Sequence, residues 1–201
     1  MVVEPVVLQG AHVRLEPLSL HHHTALVQVG LDEELLRWTE AYPPAPEGLR
    51  AYIEAALQLQ AEGTALPFAV ISTADGRAVG STRYGNIERA HRRVEIGWTW
   101  YGRAWQRTAV NTESKYLLLA HAFETLGCIR VEFKTDALNE RSRRALLRIG
   151  AKEEGIFRHH MILPSGRVRD TVYYSIIDDE WPAVRAHLQT LLASRAPRSP
   201  T

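Results

Sequence analysis

Three strand-like runs follow one another between Leu66 and Trp100, and from Asn111 to Gly150 the pattern turns to helix, strand, helix. LPFAVIST and RAVGSTRYGN flank Ala74-Asp75-Gly76, and an Asp-Gly pair between two such runs marks a hairpin. RRVEIGWTW (92–100) follows after a short connection, so three antiparallel strands form a meander. NTESKYLLLAHAFETLG (111–127) then takes the helical period. Tyr116, Leu119, Ala120 and Phe123 share a face, Asn111 stands as the cap and Gly127 ends the run. CIRVEFKTD (128–136) is again a strand, and NERSRRALLRIG (139–150) is a helix with Ala145, Leu146 and Ile149 inward. A meander that feeds one βαβ unit needs a mixed sheet with helices on its faces. The predicted class is α/β (α+β), with a mostly antiparallel central sheet.

The flanking segments complete this layout. HVRLEP (12–17) alternates as a half-buried strand, and Ser19 caps a helix through about Val29. Leu35, Leu36 and Trp38 suggest a short helix that the Pro43–Pro46 cluster ends. A long helix runs from Pro46 to Ala61, with proline tolerated in its first turn. Two strands around Pro164-Ser165-Gly166 close the sheet. The reading is one domain over 10–182, followed by a C-terminal helix and a frayed tail over 183–201.

Composition excludes several classes. A single cysteine in 201 residues allows no internal disulfide and no thiolate zinc site. A net charge of +1 lacks the basic excess of a general nucleic-acid binder. No apolar run approaches the ~20 residues of a membrane span. Glu4 interrupts the apolar N-terminal stretch and no basic segment precedes it, so a signal peptide is not expected. The expected location is cytoplasmic, with no membrane and no nucleic-acid partner. His21, His22 and His23 point in different directions on a helix and cannot meet one ion, so no metal is expected.

The segment from Trp98 to Ala151 holds the chemistry-bearing residues. A strand ends near Trp100, a polar loop follows, and a helix opens at Asn111. The first turn of a helix offers unpaired N–H groups and the positive end of its dipole, which attract phosphate. Gln106, Arg107 and Thr108 add donors. Read alone, the segment is either a pyrophosphate cradle or a capped helix with a polar approach loop.

From Val94 to about Gly150 the chain resembles the GNAT superfamily of acyl-CoA N-acyltransferases, and most of all its ribosomal-protein alanine and serine N-terminal acetyltransferase branch. The resemblance rests on VEIGWTW, on Gln106-Arg107-Thr108-Ala109-Val110-Asn111 in place of a Gln/Arg-x-x-Gly-x-Gly/Ala loop, on HAFETLG and IRVEFKT, and on Asn139-Glu140-Arg141-Ser142 opening a helix that ends in Gly150. It implies acetyl-CoA as co-substrate and a strand pair that splays to hold it. Pantetheine would lie near Trp98, Thr99 and Trp100. Residues 106–111 and Thr112 would hold the pyrophosphate, Asn139 the pantetheine arm, and Ser142 would lie near the sulfur. The loop departs from the family pattern at Ala109, where alanine adds a methyl and restricts φ.

Attack by an amine on a thioester needs a proton acceptor, oxyanion donors and a proton for the leaving thiolate. Glu95 is the candidate base; the alternative is a strand glutamate bonded to a neighbouring loop. Ser142 is the candidate acid; the alternative is a helix hydroxyl that bonds CoA or backbone. Trp38, Glu40, Tyr42 and His160 are candidates for the acceptor site. The expected function is transfer of an acetyl group to a primary amine, on a protein N-terminus or a small molecule. The alternatives are a non-catalytic acyl-CoA-binding module and a structural α/β interaction protein. A homodimer is compatible with a chain of this size.

Overall fold

The computed structural model describes residues 1–194, and the expected tail RAPRSPT lies outside them. Eight strands form one sheet in the order β1-β2-β3-β4-β5-β6-β8-β7. They are β1 (Leu8–Gln9), β2 (Val13–Pro17), β3 (Leu66–Ser72), β4 (Ala78–Glu88), β5 (Arg93–Tyr101), β6 (Arg130–Asp136), β7 (Lys152–Ile162) and β8 (Val168–Ile177). Among the described residues only β5 and β6 pair in parallel, and the βαβ crossover between them supplies that pair. The helices are α1 (His23–Gly30), α2 (Glu33–Leu36), α3 (Pro46–Ala61), α4 (Ala109–Ala120), α5 (Glu140–Arg148) and α6 (Trp181–Ala193). The mixed, mostly antiparallel sheet covered by helices is the predicted class.

Strand alternation divides the core in two. Val94, Ile96, Val131 and Phe133 project to the side where Leu118, Leu119, Leu146, Trp181 and Leu188 pack from α4, α5 and α6. Ala69, Ile71, Ala78 and Trp100 meet Leu26, Leu49 and Ile53 of α1 and α3 on the other side. Deleting a fully buried leucine such as Leu118 to alanine costs about 2–5 kcal/mol, because the cavity only partly collapses.

Several boundaries differ from the sequence reading. Asn111 is not the cap of α4: Thr108 is, its hydroxyl accepting from the Val110 N–H at 3.2 Å. Two candidates, hydroxyl and amide, compete within one turn, and the residue whose backbone is extended takes the role. The end of α4 widens into a π-helical turn (His121–Thr125) before Gly127 at φ +65°. The final helix starts at Trp181 and buries Trp181, Val184 and Leu188 in the main core, so the expected boundary at 183 falls inside a packed helix. The two-residue β1 was not foreseen. It leads into a loop whose Ala11, His12 and Val13 N–H groups all donate to the buried Glu113 carboxylate on α4.

Candidate active site

The parallel pair that builds the site is short. β5 and β6 are in register only at Arg93–Arg130, Val94–Val131 and Glu95–Glu132. Beyond that point β5 stays with β4 as far as Tyr101, while β6 follows β8 as far as Asp136. The strands therefore part and leave the inner backbone edge of β5 without a ladder partner. At the fork Trp98 takes φ +49°, a left-handed conformation that a tryptophan holds only when its surroundings impose it. This breaks the alternation. Unbroken alternation would put Trp98 and Trp100 on one face, yet Trp100 is buried and Trp98 is 37% exposed. The Trp98 ring lies on Gly85, where a Cβ would stand 2.3 Å from it. The Tyr52 hydroxyl donates to the Trp98 carbonyl at 3.4 Å.

The gap opens into a cleft of about 460 Å³. It brings together Trp98, Thr99, Trp100, Gln106, Arg107, Thr108, Asn111, Asn139 and Ser142 from the expected cofactor set, and Trp38 from the expected acceptor set. Ala109, Val110 and Thr112 do not line it. Val110 packs in the core, and Thr112 is buried and accepts from Arg148 Nη2 at 3.0 Å. Ala109 is the first helical residue of α4, and the left-handed position of the loop is Arg107, at φ +62°. The methyl of Ala109 therefore costs no backbone strain.

At one end of the cleft the α4 N-terminus meets α5. Gln106 ties the two together: its Nε2 donates to the Tyr101 carbonyl at 3.1 Å, and its Oε1 accepts from Arg141 Nη1 at 2.9 Å. Arg107, Arg141, Arg144 and Arg148 line this end, so cations add to the dipole of α4. Asn139 caps α5 by accepting the Ser142 N–H on its Oδ1 at 3.0 Å. Lys115 is one of the cleft residues that sequence reading missed. It is buried on α4, and its Nζ donates to Thr99 Oγ1 at 2.7 Å, which in turn shares a hydrogen bond with Thr82 Oγ1 at 2.8 Å. Burial pushes its pKa down to about 7. The one signal was its spacing, four residues after Asn111 and four before Leu119, on the inward side of α4.

Glu95 does not line this cleft. Alternation puts it on the opposite side of the sheet from Val94 and Ile96, in a second pocket of about 350 Å³. Its Oε2 accepts from Asn86 Nδ2 at 2.7 Å and pairs with Lys134 Nζ at 3.0 Å. Burial raises its pKa above the ordinary carboxylate value, against the opposing pull of Lys134. Lys134 lines both cavities and so stands between them.

Two acceptor candidates serve the scaffold instead. The Tyr42 hydroxyl donates to the Gly30 carbonyl at 2.8 Å, and its ring packs on Tyr52 and Trp100. Glu40 reaches the turn between β7 and β8, where its carboxylate accepts from the Ser165 N–H and hydroxyl, each at 2.7 Å. His160 lines neither cavity, but its ring meets Phe157 and Tyr173 of the second pocket edge-on. His22 bonds Glu16 at 2.9 Å, and no cluster of three or more metal-ligating side chains occurs among the described residues.

The architecture agrees with comparison to known proteins. The family model "Acetyltransferase (GNAT) domain" matches residues 12–152. Over 107 residues the chain is 34% identical to the "Putative ribosomal N-acetyltransferase YdaF" of Bacillus subtilis (strain 168). That match covers 53% of this chain and 57% of the relative, so the chain spans little more than half the length of that curated protein. A GCN5-related N-acetyltransferase from Brucella melitensis superposes with a TM-score of 0.89 at 33% identity, over 98% of this chain and 90% of that one. A structure described as a "putative acetyltransferase" from T. thermophilus gives a TM-score of 0.85 at 38% identity, over 96% and 100% of the two chains. With its forked β5/β6 pair and a family match running from β2 to the start of β7, this chain belongs to the GNAT acetyltransferase family.

Proposed function

We propose that the protein is an acetyl-CoA-dependent N-acetyltransferase acting on a primary amine. The observation that carries this reading is the parting of β5 and β6 after Glu95 and Glu132, which opens one cleft onto the α4 N-terminus, Asn139 and Ser142. The residues suit the co-substrate. Four arginines and a helix N-terminus stand where phosphates would need cations and N–H donors. The unpaired edge of β5 offers main-chain groups to the amides of a pantetheine arm, in the manner of strand addition.

When bound, acetyl-CoA supplies an activated thioester carbonyl. The chain supplies the rest. The fork holds the amine between two cavities, so positioning contributes a large part of the rate. Glu95, kept less acidic by burial, takes the proton that an ammonium must lose. Ser142, at the first turn of α5, faces the cleft as the donor to the leaving sulfur.

The test is release of free thiol from acetyl-CoA in the presence of a panel of primary amines and N-terminal peptides. Amine-dependent release with a product heavier by one acetyl group supports the reading. Tight CoA binding without release on any amine would make the chain an acyl-CoA-binding module instead.

A further inference from the structure

Two buried arginines near the fork hold guanidinium nitrogens that have no hydrogen-bond partner among the described residues. Arg83 of β4 is 3% exposed and lies between the rings of Tyr52 and Trp98, 4.9 and 5.0 Å from their centroids. Its Nε and Nη2 are buried without a hydrogen-bond partner among the described residues. Arg169 of β8 is 8% exposed and lines the cleft, and its Nε likewise has no hydrogen-bond partner there. The carboxylate it pairs with is Asp136, at 4.0 Å. That carboxylate is already committed to Arg167 Nη2 at 2.5 Å and to the Leu138 N–H at 2.9 Å. Lys134, 5.9 Å from the Trp98 centroid, is paired with Glu95. Lys134 and Arg167 thus have carboxylate partners in Glu95 and Asp136, while Arg83 and Arg169 keep buried N–H groups unmade.

Ring faces offset part of the cost of burying Arg83, but they leave its N–H groups unmade. A buried cation without a counter-charge is expensive, and an incoming anion removes the penalty. The phosphates of CoA do not fill this role in the proposed arrangement, since they lie at the α4 end among Arg107, Arg141, Arg144 and Arg148.

We infer that the acceptor is an amine that carries its own carboxylate, which Arg169 receives in the cleft beside Trp98 while Arg83 and Lys134 supply the surrounding field. Glu95 stands on the far side of the same fork to take the proton from the amine. The chemistry is that of a free amino acid, or of a peptide N-terminus followed by an acidic residue. This inference rests on the acetyltransferase reading for its role in turnover, and not for the existence of the anion site.

Matched acceptors test it: alanine against alanine amide, and a C-terminally amidated Ala-Glu peptide against the same peptide with Ala-Gln. The amide has the less basic amine, so intrinsic reactivity at neutral pH favours it. The inference expects kcat/KM to favour the acid of at least one pair by about tenfold or more, since a site built for a charge rejects a partner lacking it. Which pair responds separates amino acid from peptide. Arg169→Gln and Arg83→Gln should bring that ratio close to one while the affinity for acetyl-CoA stays within a few-fold. Equal or better use of both amides by the wild-type protein, or a ratio that survives both substitutions, overturns it. Melting temperature with acid against amide gives a second readout that needs neither turnover nor bound CoA. A shift specific to the acid in the wild-type protein supports the inference, and equal shifts contradict it even if no acetyl transfer is found.

Discussion

Lys115 of α4 reaches across to Thr99 of β5, with its ammonium donating to the threonine hydroxyl at 2.7 Å. The contact joins the helix to the strand inside the cleft, and burial alone pushes the lysine down to about 7. The unfolded side chain titrates at about 10.4. Below pH 7 both states are protonated and the folded state bears the full cost of a buried charge. Between 7 and about 10.4 the unfolded state holds the extra proton, so stability rises with pH through this window.

Lys115→Met removes that cost. The variant should melt several degrees above the wild-type protein at pH 6, at ~2–4 °C per kcal/mol for a chain of this size. Its advantage should shrink as pH rises toward about 10. Thermal melts across that range check this, and a gap independent of pH would mean that the buried amine does not titrate there.

Asn139 has two separable tasks. Its Oδ1 caps α5 by accepting from the Ser142 N–H, and in the proposed arrangement its amide N–H groups would donate to the co-substrate. Asn139→Asp keeps the cap acceptor and loses the donor. It should melt near wild type yet bind CoA about tenfold or more weakly. Asn139→Ala should lose both, with about 1 kcal/mol of stability gone. Equal CoA affinity in the Asp variant and wild type would limit Asn139 to capping.

Ala109 sits in the first turn of α4 with ordinary helical geometry. Ala109→Gly should therefore bring no gain in CoA affinity beyond about twofold and a small loss of stability, since glycine costs up to ~1 kcal/mol in a helix. Calorimetric titration of both proteins decides it. A large gain in affinity would show that the methyl obstructs the phosphates.

Glu95→Gln should lower turnover by roughly 10²–10⁴-fold if the carboxylate accepts the proton of the amine. The deficit should narrow as pH rises, because solvent then deprotonates more of the acceptor. CoA affinity should be unchanged. A pH–rate profile parallel to wild type, with a loss below a few-fold, would leave Glu95 as the structural partner of Lys134 and Asn86.

The layers, the meander and the helix–strand–helix run were legible because each depends on local periodicity and on glycine or proline punctuation. That residues 106–108, Asn139 and Ser142 share one cleft was legible because the resemblance rests on motifs of contiguous residues. What sequence did not show depends on the third dimension. Trp98 breaks its strand alternation through a left-handed φ, which nothing in VEIGWTW announces. Glu40 meets Ser165 from 125 positions away, and Tyr42 finds a carbonyl on a preceding helix. Arg83, Lys134 and Arg169 sit on three strands that only the β4-β5-β6-β8 order places side by side. That Arg83 and Arg169 keep N–H groups unmade appears only once burial is known.

The central claim is that the forked cleft holds acetyl-CoA, and calorimetric titration of the wild-type protein with acetyl-CoA tests it most directly. The account predicts one saturable site per chain, with heat and a raised melting temperature that both fade when Thr99→Trp fills the cleft. The same melting shift should survive in a surface variant such as Arg50→Gln, which lies on the outer face of α3. No heat and no melting shift at millimolar acetyl-CoA would contradict it.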